Sequence, residues 1–357
     1  MSEFFSDCLN GLVPYVPGEQ PRDKKYIKLN TNESPFAPSP KVIEAIDKGQ
    51  VSDLRLYSDP TADMLVGAIA DYYSVDKDNV VTSNGSDEIL AFIFRAFCGK
   101  SKGIVFPNVT YGFYKVFAQL FNIDYREIPL KKDFSIDVSD YENISDNVII
   151  ANPNAQTGVF LSVENVENLI KQNPERIVVV DEAYVDFGGQ TVIPLVKKYK
   201  NLIVVQTFSK SRSLAGARVG FCVCDKALAD DIKTVKFSFN PYNLNRLSIV
   251  AATEAIKDKD YFVKTTSQII ENRKFTEKEL DKLGFETVSS TANFLLTKPK
   301  GISAKQLYLA LKQKGVLVRY FDNSLISDYV RITVGSREQM EILIQKTKEV
   351  LTGGQNA

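Results

Sequence analysis

Leu202-Ile203-Val204-Val205-Gln206-Thr207-Phe208-Ser209-Lys210-Ser211 runs from an apolar segment into a hydroxyl-rich turn that carries a lone lysine. Leu214-Ala215-Gly216 follows, and Arg218 stands eight positions beyond the lysine. An uninterrupted apolar run of this kind reads as a strand buried on both faces of a parallel sheet. A lysine at its end, between hydroxyls and close to a fixed cation, suits an amine that bonds an aldehyde. Thr207, Ser209 and Arg218 would then hold a phosphate on the same ligand. A solvated lysine in a strand-to-helix loop fits the same letters, so the remainder of the chain has to decide.

Upstream, Ile177-Val178-Val179-Val180-Asp181-Glu182-Ala183-Tyr184 is a second apolar strand, and it ends in a carboxylate. Ligands of α/β sheets bind at the carboxyl ends of strands, which puts Asp181 on the binding edge. There it could pair with a protonated ring nitrogen and make a pyridine ring an electron sink, or it could ligate a metal or cap a helix. Val80-Val81-Thr82-Ser83-Asn84-Gly85-Ser86-Asp87-Glu88 reads as strand, glycine turn and helix start. Free backbone N–H groups and the helix dipole make such a turn a phosphate site; an ordinary capped helix start is the plainer alternative.

Several segments taken together resemble the fold-type I pyridoxal-phosphate aminotransferases. They are Asn84 to Glu88, Asn152-Pro153-Asn154-Ala155-Gln156-Thr157-Gly158, Asp181 to Tyr184, and Ser209-Lys210 with Arg218. With Leu29-Asn30-Thr31-Asn32-Glu33-Ser34-Pro35 and Val330-Arg331-Ile332-Thr333-Val334-Gly335, the likeness narrows to the histidinol-phosphate aminotransferases. It spans almost the whole chain, in the family's order.

The resemblance implies pyridoxal 5'-phosphate as cofactor and assigns roles. Lys210 would form the Schiff base and move the proton between substrate and cofactor carbons. Asp181 would pair with the pyridine nitrogen, Tyr184 would donate to the phenolic oxygen, and Tyr111 would stack on the ring. Thr207, Ser209, Arg218 and the backbone of Gly85, Ser86 and Asp87 would hold the phosphate. Tyr57, in Arg55-Leu56-Tyr57, matches a tyrosine that reaches the phosphate from the neighbouring subunit, so a homodimer with shared active sites is implied. The family commonly has asparagine and proline before Thr-Gly, where this chain has Ala155 and Gln156. Asn154, or failing that Asn152, would have to replace that asparagine at the phenolic oxygen, or the contact is lost.

The implied substrates are L-histidinol phosphate and 2-oxoglutarate, with glutamate as a product. A substrate with a phosphate in place of an α-carboxylate calls for cations with fork geometry. Arg319 and Arg331, in Val316-Leu317-Val318-Arg319 and Tyr329-Val330-Arg331-Ile332, match arginines that bind the substrate anion. Tyr15 matches a tyrosine that assists them. Arg337 is a further candidate, with a solvated surface arginine as its alternative.

Composition narrows the field. The chain has 357 residues, 44% of them hydrophobic, and 44 basic against 44 acidic residues. That length supports a large and a small domain, and the even charge leaves no footprint for nucleic acid or an anionic membrane. The opening residues lack the basic segment and apolar core of a signal peptide, no run has the length of a transmembrane helix, and the four cysteines have no metal-ligand spacing. A cytoplasmic location is the resulting expectation. There is no histidine, which removes Ser-His and Cys-His nucleophiles, His-ligated zinc and an imidazole base. Proton transfer near neutral pH then falls to a lysine, tyrosine, cysteine or carboxylate with a shifted pKa.

Strand-like runs at 103–106, 147–150, 177–180, 202–205 and 219–223 alternate with helical stretches such as 111–121 and 163–171. This is the pattern of an α/β fold with a mostly parallel sheet covered on both faces. From about 257 a long amphipathic helix (261–283) leads to strands at 285–288 and 293–296, a helix, the two arginine-bearing strands and a last helix at 337–351. The expected division is a large cofactor-binding domain of 35–257 and a smaller α/β domain built from both termini, 1–34 and 258–357. The tail 352–357 reads as frayed.

Rivals remain: an aromatic amino-acid aminotransferase, a decarboxylase of a phosphorylated amino acid on the same scaffold, and a non-catalytic ligand-binding domain. A nicotinamide enzyme is disfavoured, because no G-x-G-x-x-G follows an early strand.

Overall fold

The computed structural model describes residues 6, 9, 11–47 and 50–353. The opening residues 1–5 and the end of the tail, 354–357, lie outside the described residues. The first half of the chain holds β1 (Ile27–Lys28), α1 (Pro40–Asp47), α2 (Asp63–Tyr73), β2 (Val80–Ser83), α3 (Ser86–Phe97) and β3 (Ile104–Pro107). Then come α4 (Phe113–Leu120), β4 (Tyr125–Ile128), β5 (Asn147–Ala151), α5 (Val163–Lys171), β6 (Val178–Asp181) and β7 (Leu202–Thr207). β8 (Gly220–Cys224), α6 (Lys226–Phe239) and α7 (Arg246–Lys257) complete this part.

Seven of these strands form one sheet in the order β2-β8-β7-β6-β5-β3-β4. Every strand but β8 runs in the same sense. The apolar runs read from the sequence are β3, β5, β6, β7 and β8, and each is buried along its whole length. Strand residues alternate between two cores. Val179, Ile203 and Val205 join Ile89, Phe92 and Phe117 of α3 and α4. Val178, Val180 and Val204 join Leu65 of α2, Leu169 of α5 and Ile249 of α7 on the other face. Cys222 and Cys224 share the first face as buried free thiols. The edge strand β4, Tyr-Arg-Glu-Ile, escaped the sequence reading because its residues are half-buried or exposed and carry no apolar run.

The C-terminal part contains α8 (Lys259–Lys282), β9 (Glu286–Thr287), β10 (Phe294–Lys298) and α9 (Ala304–Gln313). It ends with β11 (Val316–Leu317), β12 (Arg319–Tyr320), β13 (Val330–Thr333) and α10 (Arg337–Gly353). A four-stranded antiparallel sheet has the order β12-β13-β10-β9. The expected single strand 316–319 is divided, and this corrects the sequence reading. β11 pairs in parallel with β1, whereas Arg319 of β12 pairs with Arg331 of β13 in the other sheet. The buried Val318 lies between them. α10 also extends through Gly353, past the point where fraying was expected.

Ser83, Ala151, Asp181 and Thr207 all end their strands on one edge of the large sheet, where β8 begins at Gly220. A Cβ on Gly220 would lie 2.4 Å from the Ser86 nitrogen and 2.5 Å from the Gly85 carbonyl carbon. Gly220 therefore lets the start of α3 rest directly on β8. Gly220→Ala should lower unfolding stability by about 1–3 kcal/mol, the usual range for forcing an extra methyl into a packed site. Urea denaturation of the purified variant measures this.

Candidate active site

A cavity of about 420 Å³ opens at that strand edge, between the large sheet and the four-stranded sheet. Twelve of the side chains singled out in the sequence line it: Tyr15, Ser86, Asp87, Tyr111, Asp181, Tyr184, Thr207, Ser209, Lys210, Arg218, Arg319 and Arg331. They come from β2–α3, the start of α4, the ends of β6 and β7, the N-terminal segment, β12 and β13. Residues more than 300 positions apart thus converge only through folding.

Lys210 follows the end of β7 by three residues. Its Nζ donates to the Thr31 carbonyl at 3.4 Å and stands 5.8 Å from the centre of the Tyr184 ring. Among the described residues no carboxylate lies within ion-pair distance of it. Asp181 ends β6 and is buried. Its Oδ2 accepts from the Tyr114 hydroxyl at 2.8 Å and its Oδ1 from the Ala183 N–H at 3.2 Å. Burial pushes its pKa up to about 6, and the hydrogen bond from Tyr114 opposes that rise. A cation placed against Asp181 would hold it ionised.

The turn from β2 into α3 is built for an anion. Gly85 has a left-handed φ of +79° and gives α3 no side-chain cap, which leaves the first N–H groups of a twelve-residue helix without that partner. A Cβ at Gly85 would come within 2.4 Å of Arg218 Nη2, so the glycine also admits the guanidinium. Arg218 Nη2 donates to Asp87 Oδ2 at 3.2 Å, and Asp87 Oδ1 accepts from the Tyr111 hydroxyl at 2.7 Å. Asp87 thereby orients both neighbours with its side chain, a role beyond the backbone contact expected of it. The Thr207 and Ser209 hydroxyls stand 2.9 Å apart beside them.

A second cationic group occupies the same cavity. Arg331 Nη1 donates to the Ala155 carbonyl at 3.0 Å and to Gln156 Oε1 at 3.1 Å, with the Phe294 and Phe321 rings each 5.1 Å away. Its Nε is buried, with no hydrogen-bond partner among the described residues. Arg319 donates to the Pro17 and Val16 carbonyls at 3.3 Å, which ties it to the segment bearing Tyr15. Tyr15 in turn stacks on Phe113 at 4.3 Å. Neither arginine forms an ion pair among the described residues, so both keep their charge for a ligand. Asn30 Oδ1, from the cavity wall, is also buried and has no hydrogen-bond partner among the described residues.

The expectations for Asn154, Asn152 and Arg337 need correction. Asn154 is not brought to the cavity: its Nδ2 donates to the Val109 carbonyl at 2.8 Å and its Oδ1 accepts from the Gln156 and Thr157 N–H groups. It shapes the loop and cannot take over the contact to a ring oxygen. Asn152 is likewise closed onto Leu161, through both its amide nitrogen and its oxygen. Arg337 sits on the surface, 2.9 Å from Glu341 Oε1 and 3.5 Å over the Phe275 ring. Tyr57 lies away from its own chain's cavity, 80% exposed and stacked on Tyr242 at 4.5 Å.

Other residues join the site without having been assigned a role. Tyr114 lies one helical turn beyond Tyr111, a spacing that could have flagged it. Gln156 lines the cavity, and Asn32 Nδ2 donates to the Tyr184 hydroxyl at 3.0 Å. Both lie in motifs already quoted, but nothing in the letters shows which way their amides face.

Comparison with known proteins agrees with this geometry. Residues 24–346 match the family described as aminotransferase class I and II. Histidinol-phosphate aminotransferase of Brachyspira hyodysenteriae is 49% identical over 352 residues, covering 98% of this chain and 99% of that protein. The enzyme of the same description from Clostridium botulinum is 47% identical over 351 residues, again covering 98% and 99%. The crystal structure of histidinol-phosphate aminotransferase from Sinorhizobium meliloti, in complex with pyridoxal-5'-phosphate, superimposes with a TM-score of 0.89. It is 23% identical over 99% of both chains, a likeness of fold. The shared fold and the near full-length identity place this chain in the aminotransferase class I and II family, among the histidinol-phosphate aminotransferases.

Proposed function

We propose that this protein is a pyridoxal-phosphate-dependent transaminase that moves the amino group of L-histidinol phosphate to 2-oxoglutarate, giving imidazole-acetol phosphate and L-glutamate. One observation carries the reading: a single cavity holds two separate cationic groups, together with a lysine that has no acidic partner within ion-pair distance among the described residues. One group fits the phosphate of a cofactor and the other the phosphate of a substrate.

The residues suit the cofactor chemically. The uncapped start of α3, with Thr207, Ser209 and Arg218, would hold its phosphate. Lys210 would bond its aldehyde carbon, Asp181 would face the ring nitrogen, and Tyr184 would face the ring hydroxyl. Tyr111 would cover the ring face. When bound, the pyridine ring supplies the electron sink for the bond broken at the substrate carbon. Displaced from that aldehyde by the substrate's amine, the Lys210 amine would be free to take the proton from the substrate carbon and return it one position away. Asp181 is buried, so its charge would act in a medium of low dielectric and would hold a proton on the ring nitrogen strongly.

At the substrate end, Arg331 and Arg319 present fork-shaped donors with no competing carboxylate, and Tyr15 adds a hydroxyl. Tyr15, Tyr111 and Phe321 give that end an aromatic lining suited to a flat imidazole, with Phe113 stacked on Tyr15.

The homodimer belongs to the proposal. Tyr57 is 80% exposed and Phe239 76% exposed, with Leu54, Leu56 and Tyr242 also exposed. A second copy of the chain would cover these residues and bring Tyr57 to the partner's phosphate. A cytoplasmic location accords with Cys98, Cys222 and Cys224 being free thiols.

Lys210→Ala should abolish both the visible absorbance of bound cofactor and turnover; retained turnover would sink the mechanism. Arg331→Ala should lower kcat/KM for the phosphorylated donor by about 10- to 100-fold, since hydrogen bonds to charged groups are worth ~1.5–3 kcal/mol. Release of carbon dioxide in place of glutamate formation would move the enzyme to the decarboxylases. Mixing inactive Lys210→Ala with Tyr57→Ala protein at limiting cofactor should restore activity through mixed dimers. A mixture no more active than its parents would contradict shared sites.

A further inference from the structure

Asn32 has no part in the reaction as proposed, yet it is tied to the site on four sides. It is 1% exposed and holds a left-handed φ of 56°, a conformation that asparagine enters more readily than most residues but still with strain. Its backbone N–H donates to Thr333 Oγ1 at 2.9 Å, and its Oδ1 accepts from that same hydroxyl at 3.0 Å. Its carbonyl accepts from Asn293 Nδ2 at 3.0 Å, and its own Nδ2 donates to Tyr184 Oη at 3.0 Å.

Counting hydrogens fixes the direction of every bond in this chain. The Thr333 hydroxyl is buried, has one hydrogen and meets no acceptor among the described residues other than Asn32 Oδ1, so its hydrogen goes there. That pins the amide, with oxygen toward Thr333 and nitrogen toward Tyr184. Tyr184 therefore accepts from Asn32, and its single hydrogen must leave in another direction. Among the described residues no acceptor takes it, and Tyr184 lines the cavity beside Lys210.

We infer that Asn32 is a positioning residue that aims the Tyr184 hydroxyl hydrogen into the cavity, at the phenolic oxygen of the bound cofactor. The inference rests on the cofactor assignment above. Ala155 carries no polar side-chain group on the same wall and Asn154 is spent on its own loop, so neither of them supplies the donor that Tyr184 offers. A hydrogen bond given to a phenolate oxygen draws charge from it and lowers the pKa of the nitrogen that joins Lys210 to the ring. Losing the donor raises that pKa. The other titratable groups facing Tyr184 and Lys210 are Asp181, Glu33, Arg331, Tyr15, Tyr111 and Tyr114. None of them hydrogen-bonds the Tyr184 hydroxyl.

The test is a pH titration of the visible band of the holoenzyme. Asn32→Asp keeps the shape and tolerates the left-handed backbone, but it turns the amide donor into an acceptor that captures the Tyr184 hydrogen. Its midpoint should rise by about one pH unit or more. Thr333→Val, which frees the amide to turn over, should move the midpoint the same way, while Thr333→Ser should leave it at the wild-type value. The threonine pair carries the test if Asn32→Asp does not fold. Variants that lose thermal stability but titrate like wild type would make Asn32 purely structural and overturn the inference alone. A wild-type protein with no visible band would overturn the cofactor assignment, and this inference with it.

Discussion

Ala151, Asp181 and Val205 stand side by side in three adjacent parallel strands that are buried along their whole length. This lateral register determines where the site can be. A slip of one residue in β6 would turn Asp181 from its core-edge position to the opposite face of the sheet. Because both faces are packed with apolar side chains, such a slip would also bury or expose whole rows of valine and isoleucine. Hydrophobic burial on two faces therefore holds a carboxylate and a lysine-bearing turn at fixed separation, which is the precision that proton transfer at a bound ring requires.

The charges at the cavity follow from this frame. Backbone N–H groups of α3 can face the ligand because Gly220 and Gly85 let the helix start lie against β8 and Arg218. The other sheet contributes Arg331 and Arg319, held by carbonyls and aromatic rings and, among the described residues, by no carboxylate. A guanidinium held by neutral acceptors keeps most of its attraction for an incoming anion, whereas one paired with a carboxylate would have to break that pair first. The chain has no histidine, and in the proposed reaction proton movement would rest on Lys210 and on the direction of the hydrogen bond at Tyr184.

Much of this was readable in the letters. Uninterrupted apolar runs located β3, β5, β6, β7 and β8, since strands covered on both faces leave no room for polar residues. The residues at the ends of these strands converge as strand-edge logic requires. What escaped has common physical causes. β4 is a half-exposed edge strand, so its pattern carries little signal. Val316 to Arg319 looked continuous because sequence cannot show that hydrogen bonding passes from one sheet to another at Val318. Asn154, Asn152, Gln156 and Asn32 are amides, and the partner an amide chooses is decided by loop geometry. Tyr114 was hidden inside an aromatic-rich run, Tyr111 to Phe117, in which Tyr111 alone was matched to the site.

The central claim is that one cavity combines a lysine-bound cofactor with a pocket for a phosphorylated amine. A single-turnover absorbance experiment tests it most directly. Purified protein loaded with pyridoxal phosphate is mixed with L-histidinol phosphate, and in a parallel run with L-phenylalanine, with no oxo-acid acceptor in either. The account predicts rapid loss of the visible band with the phosphorylated amine and far slower loss with phenylalanine. Equal or faster loss with phenylalanine would contradict the assignment of Arg319 and Arg331 to substrate phosphate and make the protein an aromatic aminotransferase.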